Sequence, residues 1–179
     1  AGANHNQLDL GSCVLDAQGE RWAVDLGKDD YNLPGYFQPQ PGGPRWTYYR
    51  NRAEGHNTLV LDPDACEDQD PRAVATVTRF ESAADGMLSV IDLTNAYRGT
   101  PARRGIARFA DGRVVVQDEL GLDAADPTDL WWFVHTRADI VVAADGRTAT
   151  LTQNGKVLRA RLDAPPGASF TVTDPLPLP

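Results

Sequence analysis

The chain has 179 residues and a formal net charge of −8, with 41% hydrophobic and 23% charged residues. That size fits one domain with a sizeable core, and the acidic balance argues against a surface that grips nucleic acid. No apolar run approaches the ~18 residues that a membrane-spanning helix needs, so no membrane partner is expected.

Read from the N-terminus, the first motif-like stretch is Asn4-His5-Asn6-Gln7-Leu8-Asp9. The abrupt start at Ala1, with no signal peptide legible, predicts a piece of a longer protein. Ser12-Cys13-Val14-Leu15 and Arg21-Trp22-Ala23-Val24-Asp25 read as strands on either side of Gln18-Gly19. Asp29 to Arg45 is a long loop rich in Pro, Gly and Tyr, and Tyr31, Tyr36, Phe37 and Trp46 predict that it is ordered. Arg45-Trp46-Thr47-Tyr48-Tyr49-Arg50-Asn51-Arg52 reads as a strand, with Arg50 and Arg52 on one face. Glu54-Gly55-His56-Asn57-Thr58 then opens a second apolar run.

Further on, Asp85-Gly86, Asp111-Gly112, Asp145-Gly146 and Asn154-Gly155 are hairpin signals, because these pairs tolerate the positive φ of tight turns. Alternating apolar and polar residues flank them: Met87 to Leu93, Arg113 to Asp118, Leu130 to His135, Thr148 to Thr152 and Lys156 to Leu162. No long 3.6-residue stripe appears. The fold class expected is all-β, an antiparallel two-sheet β-sandwich with little helix, over residues 1–173, followed by an extended tail at 174–179. Cys13 and Cys66 form at most one disulfide, and Cys13 is expected to be a buried small apolar residue.

Three ligand-type side chains, Gln7, Asp25 and His56, lie far apart in sequence and meet only if their segments pair. One amide, one carboxylate and one imidazole make a poorer metal site than two imidazoles and a carboxylate. Taken singly, His56 is equally a hydrogen-bonded strand residue, and Asp25 a turn cap. Arg45, Trp46, Arg50 and Arg52 interleave guanidinium forks with aromatic faces, a pattern suited to acidic sugars; the alternative is a solvated strand face. His135 is a weak catalytic candidate. No nucleophile elbow, phosphate loop or paired-cysteine motif is present.

Asn4-His5-x-Gln7-Leu8-Asp9, Trp22-Ala23-Val24-Asp25-Leu26-Gly27, Tyr36 and Arg52-x-x-Gly55-His56-Asn57-Thr58 together resemble the C-terminal β-sheet domain of heparinase II/III-like polysaccharide lyases. The resemblance implies a parent enzyme that cleaves uronic-acid polysaccharides by β-elimination, with an acidic polysaccharide as substrate. It implies an N-terminal α/α toroid in the same parent chain and a periplasmic or secreted location. It places Asn4, His5 and Tyr36 in the catalytic cleft. It places Gln7, Asp25 and His56 at a structural metal position, commonly zinc. The family has histidine where Gln7 stands, so zinc binding is expected to be weakened. A non-catalytic carbohydrate-binding or structural β-sandwich, and a stand-alone metal-dependent enzyme, are the other readings.

Overall fold

A computed structural model describes residues 5–63, 68–122 and 128–176. The described chain is antiparallel β throughout, with eleven strands and no α-helix. In chain order the strands are β1 (Leu15–Ala17), β2 (Glu20–Ala23), β3 (Leu59–Leu61), β4 (Thr76–Ala83), β5 (Gly86–Asp92), β6 (Ala102–Phe109), β7 (Val114–Leu120), β8 (Leu130–Trp132), β9 (Asp139–Val142), β10 (Thr148–Gln153) and β11 (Lys156–Arg161). Their ladders run β1-β2, β11-β10-β9, β3-β8 and β4-β5-β6-β7.

All five turn signals lie where the sequence puts them. They join β1 to β2, β4 to β5, β6 to β7, β9 to β10 and β10 to β11. Two are two-residue loops with both φ values positive: Gln18 (55°) with Gly19 (76°), and Asn154 (48°) with Gly155 (74°). That geometry matches the twist of the flanking strands.

Two expected strands are corrected. The first begins at Leu15, so Ser12, Cys13 and Val14 precede it. Residues 44–55 are three 3-10 turns, Pro44–Thr47, Tyr49–Asn51 and Ala53–Gly55, rather than a strand. Pro44 at the start and the succession of i→i+3 bonds favour tight turns over an extended ladder. Cys13 is half-buried rather than buried, and desolvation raises its thiol pKa. Its pairing with Cys66 lies outside the described residues.

Three small cores hold the layers. Trp22, Ala149 and Leu151 pack β1-β2 onto the β9–β11 ladder. Leu8, Trp46, Ala53 and Val60 join the N-terminal segment to the 3-10 turns and β3. Leu59, Leu93, Ala96, Tyr97 and Ala102 close the lower end of the four-stranded sheet. Here a bulge between Val77 and Arg79 keeps Val77 and Phe80 on one face, although they lie three residues apart. Above the core that face is open, and Phe80 is 65% exposed.

Polar side chains sew the cores together. Arg104 of β6 is fully buried and grips Asp118 of β7 with two bonds of 2.7 and 2.8 Å. Its third nitrogen donates to the Gly11 and Asn57 carbonyls at 2.8 and 3.0 Å. Asn57 in turn donates to the Cys13 and Val24 carbonyls at 2.7 and 3.0 Å, and its Oδ1 accepts from the His135 amide at 2.8 Å. Asn57→Ala strands each of these partners in a dry interior. The expected loss is roughly 3 kcal/mol or more of unfolding free energy, read from the urea midpoint of variant and wild type.

Candidate functional site

The N-terminal segment is held by main-chain contacts, so its side chains are presented in a defined register. The Leu8 amide donates to the Asn51 carbonyl at 2.9 Å, and the buried Leu8 side chain enters the central core. The Leu10 amide and carbonyl are both engaged by Gln69, at 3.0 Å each. His5 and Gln7 are therefore anchored on one side, Asp25 by the end of β2 and His56 by the start of β3.

Gln7, Asp25 and His56 meet through the backbone of Gly27. The Gln7 amide donates to the Gly27 carbonyl at 3.3 Å, and the Gly27 N–H donates to Asp25 Oδ1 at 2.7 Å. The other carboxylate oxygen, Oδ2, lies 3.0 Å from His56 Nδ1. An ionised carboxylate only accepts, so Nδ1 carries a proton and donates it to Asp25. His56 is fully buried, and Nε2 has no hydrogen-bond partner among the described residues.

Desolvation pushes the Asp25 carboxyl up. The bonds from Gly27 and His56, with the charge of both histidines, outweigh it, and the carboxyl ends below its ordinary range. Asp9 goes the other way: desolvation raises it, although His56 pulls it down.

Gly55 sets the His56 backbone. A Cβ there would stand 2.2 Å from the Tyr49 carbonyl oxygen, so only glycine lets the turn close this tightly.

A second imidazole stands beside this pair. His135 is buried, and its Nε2 lies 2.8 Å from the Tyr49 hydroxyl. Its backbone joins Asn57 and Val24, the two neighbours of the Asp25–His56 contact. Burial and His56 lower the His135 pKa, with Asp25 opposing, while burial and Glu54 push Tyr49 up to about 12. No sequence motif points to Tyr49, and the sequence points to His135 only weakly. Both depend on pairing between residues 86 apart, which no local pattern reports.

His5 is exposed and packs against Tyr31 and Phe37, with ring centroids 5.6 and 6.0 Å away. Asn4 lies outside the described residues. Tyr36 is only 2% exposed; its ring lies 4.5 Å from the Arg45 guanidinium and contacts Tyr31, Phe37 and Tyr48. It supports the aromatic cluster from beneath and is not presented beside His5.

The basic segment also needs correction as a ligand-binding face. Arg45 is buried and spends its donors on the Asn6 carbonyl, at 2.9 and 2.6 Å, and the Tyr36 carbonyl, at 2.7 Å. Trp46 is buried, and its ring N–H points to the Pro39 and Gln40 carbonyls. Arg52 pairs with Asp68 at 3.0 Å and Glu54 at 3.4 Å inside the fold. Arg50 alone of the four is exposed, and it bonds the Leu26 and Lys28 carbonyls at 3.0 and 3.2 Å. The 3-10 geometry turns Arg45 inward, where it caps main-chain carbonyls of two other segments.

The family model for Heparinase II/III-like, C-terminal, matches residues 1–175, which takes in every motif of the site. The chain belongs to this family. A search of curated proteins returned no match. The Asp25–His56 pair and exposed His5 are thus features of a heparinase II/III-like C-terminal domain, a domain of polysaccharide lyases.

In this heparinase II/III-like domain, buried His135 resists protonation, so its folded pKa lies below the ordinary 6.5. Its contribution to stability is present above pH 6.5 and is lost as pH falls through the folded value. Urea denaturation at a series of pH values below 7.5 is expected to show wild type losing more stability than His135→Gln.

Proposed function

We propose that this chain is the sheet domain of a lyase that cleaves uronic-acid-containing polysaccharides by β-elimination. The family match across residues 1–175 carries this reading. It is supported by the solvent-facing His5, set on a rigid scaffold beside aromatic rings. The reaction removes the proton α to the uronate carboxylate, forms a carbon–carbon double bond and expels the glycosidic oxygen, which takes up a proton. Negative charge builds on the carboxylate as the proton leaves. His5, with Asn4 alongside it in sequence, is the donor suited to hold that charge. The base belongs to the N-terminal α/α toroid of the parent chain. An acidic polysaccharide is the substrate, and the compartment is periplasmic or secreted.

The Gln7, Asp25 and His56 position is the family's zinc position. The residues present do not fit a closed zinc site. Asp25 is already bonded to His56 Nδ1 and to Gly27, the third donor is an amide, and no group of three or more His, Cys, Asp or Glu is gathered for a metal among the described residues. The three residues hold the loop at Gly27 through hydrogen bonds. Restoring an imidazole with Gln7→His is expected to strengthen zinc binding about tenfold or more, measured by competition with a chromogenic chelator.

The second reading is a non-catalytic carbohydrate-binding or structural β-sandwich, favoured by the burial of Tyr36 and Arg45. Turnover separates the two. Alginate, heparan and hyaluronan are incubated with the parent enzyme and, separately, with this chain, while ultraviolet absorbance follows the unsaturated product. The parent is expected to be active, its His5→Ala variant to lose about two orders of magnitude in kcat, and the isolated chain to show little turnover. A parent inactive on every uronate polymer sinks the lyase reading.

A further inference from the structure

The aromatic cluster around His5 has a surface that the proposed chemistry does not use. Tyr31 and Phe37 remain 39% and 46% exposed, while Tyr36, the ring they both contact, is buried. Their ring centroids are 5.5 Å apart at 60°, and both rest on Tyr36, at 5.2 and 5.1 Å. Rings held edge to face on a third, buried ring form a rigid shelf. The long Pro- and Gly-rich loop gives that shelf its shape: the Tyr36 amide donates to Leu33, the Gln38 amide to Gly35 and the Tyr48 hydroxyl to Pro34.

The shelf carries positive charge in an otherwise acidic protein. The Lys28 ammonium lies 4.3 Å from the Tyr31 ring centre, a cation–π contact that holds it against the shelf. The Arg50 guanidinium bonds the Lys28 carbonyl at 3.2 Å and so fixes the same strip of chain. Two acids flank the shelf; both serve the turn as hydrogen-bond acceptors, and the Asp30 carboxylate also interacts with the Lys28 charge. Asp29 accepts from the Asp30 amide at 3.0 Å, and Asp30 accepts from the Asn32 amide and side chain at 2.9 Å.

We propose that Phe37, Tyr31 and Lys28 form a subsite for one uronate ring next to His5. One face of a pyranose is a patch of C–H groups, and its slightly positive hydrogens suit the negative face of the Phe37 ring. A uronate adds a carboxylate at the ring edge, where the Lys28 ammonium pairs with it. Tyr31 is a positioning residue, holding Lys28 and bracing Phe37. Both halves of the subsite meet the same sugar, so it selects acidic sugars over neutral ones and over anions without a ring. The assignment rests on the polysaccharide reading above and adds which residues select the sugar.

The test is titration of this chain with trimannuronate, cellotriose and triglutamate, followed by NMR shifts and calorimetry. Trimannuronate is expected to bind more tightly than either comparator. Phe37→Ala should weaken binding of both sugars about tenfold, while Phe37→Tyr keeps it. Lys28→Ala should erase the preference for trimannuronate over cellotriose and leave cellotriose binding unchanged. All three side chains are exposed, and unchanged melting curves show that the variants fold. Trimannuronate binding that is absent, that matches triglutamate, or that survives Phe37→Ala overturns the subsite. An active parent enzyme whose Phe37→Ala variant keeps its KM removes the subsite and leaves the lyase reading standing. Phe37-dependent binding by a chain whose parent is inactive on every uronate polymer does the reverse.

Discussion

The Asn57 side chain is the constraint on which the rest of this molecule depends. One buried amide satisfies backbone groups of three segments distant in sequence: Cys13, Val24 and His135. The Asn57 backbone carbonyl takes a fourth contact, from Arg104 of the large sheet. Asparagine suits the position because it offers two donors and an acceptor without charge. A carboxylate would supply no donor to the two carbonyls, and an aliphatic residue would leave all three groups dry and unpaired. Small cores of a few apolar residues do not by themselves specify how their layers stack. A polar group that is satisfied in one arrangement does.

That staple explains why the site is built where it is. Asp25 follows Val24 and His56 precedes Asn57, so clamping Asn57 to Val24 brings carboxylate and imidazole together. His135 is drawn to the same point because its amide bonds Asn57 and its carbonyl accepts from Val24. Two buried imidazoles are costly neighbours if both are charged, and burial with His56 nearby lowers the His135 pKa accordingly. His5 lies outside this arrangement, against aromatic rings at the surface. The buried scaffold and the exposed imidazole are thus carried by different segments of the chain.

The β pattern was legible because it is local. Each turn pair, such as Asn154-Gly155, states its own backbone geometry, and the alternation beside it states the strand. The Gln7, Asp25 and His56 convergence was legible only as an ordered set of motifs, since no local rule links residues on three segments. The segment from Arg45 to Arg52 misled for a physical reason. Alternating arginines and aromatic rings look the same whether the backbone is extended or turned, and the tight 3-10 path sends Arg45 and Trp46 inward. Long guanidinium side chains are also good partners for carbonyls at turn ends, so their presence does not distinguish a ligand-binding strip from an internal brace.

The Gln7 side chain ties the N-terminal segment to the loop at Gly27. A glutamine amide donates a proton, and here it donates to the Gly27 carbonyl while the Gly27 N–H serves Asp25. Gly27 therefore relays a neutral link from the first motif to the carboxylate, with φ at 69°, where glycine is at ease. Arg50 holds the same loop from the other side through the Leu26 and Lys28 carbonyls. Between them, Gln7 and Arg50 tie three consecutive carbonyls, those of Leu26, Gly27 and Lys28, to the body of the domain. The loop that carries Lys28 toward the aromatic shelf is thus held by Gln7 and by the exposed arginine of the basic segment. Scaffold position and surface chemistry are coupled through that short stretch of backbone.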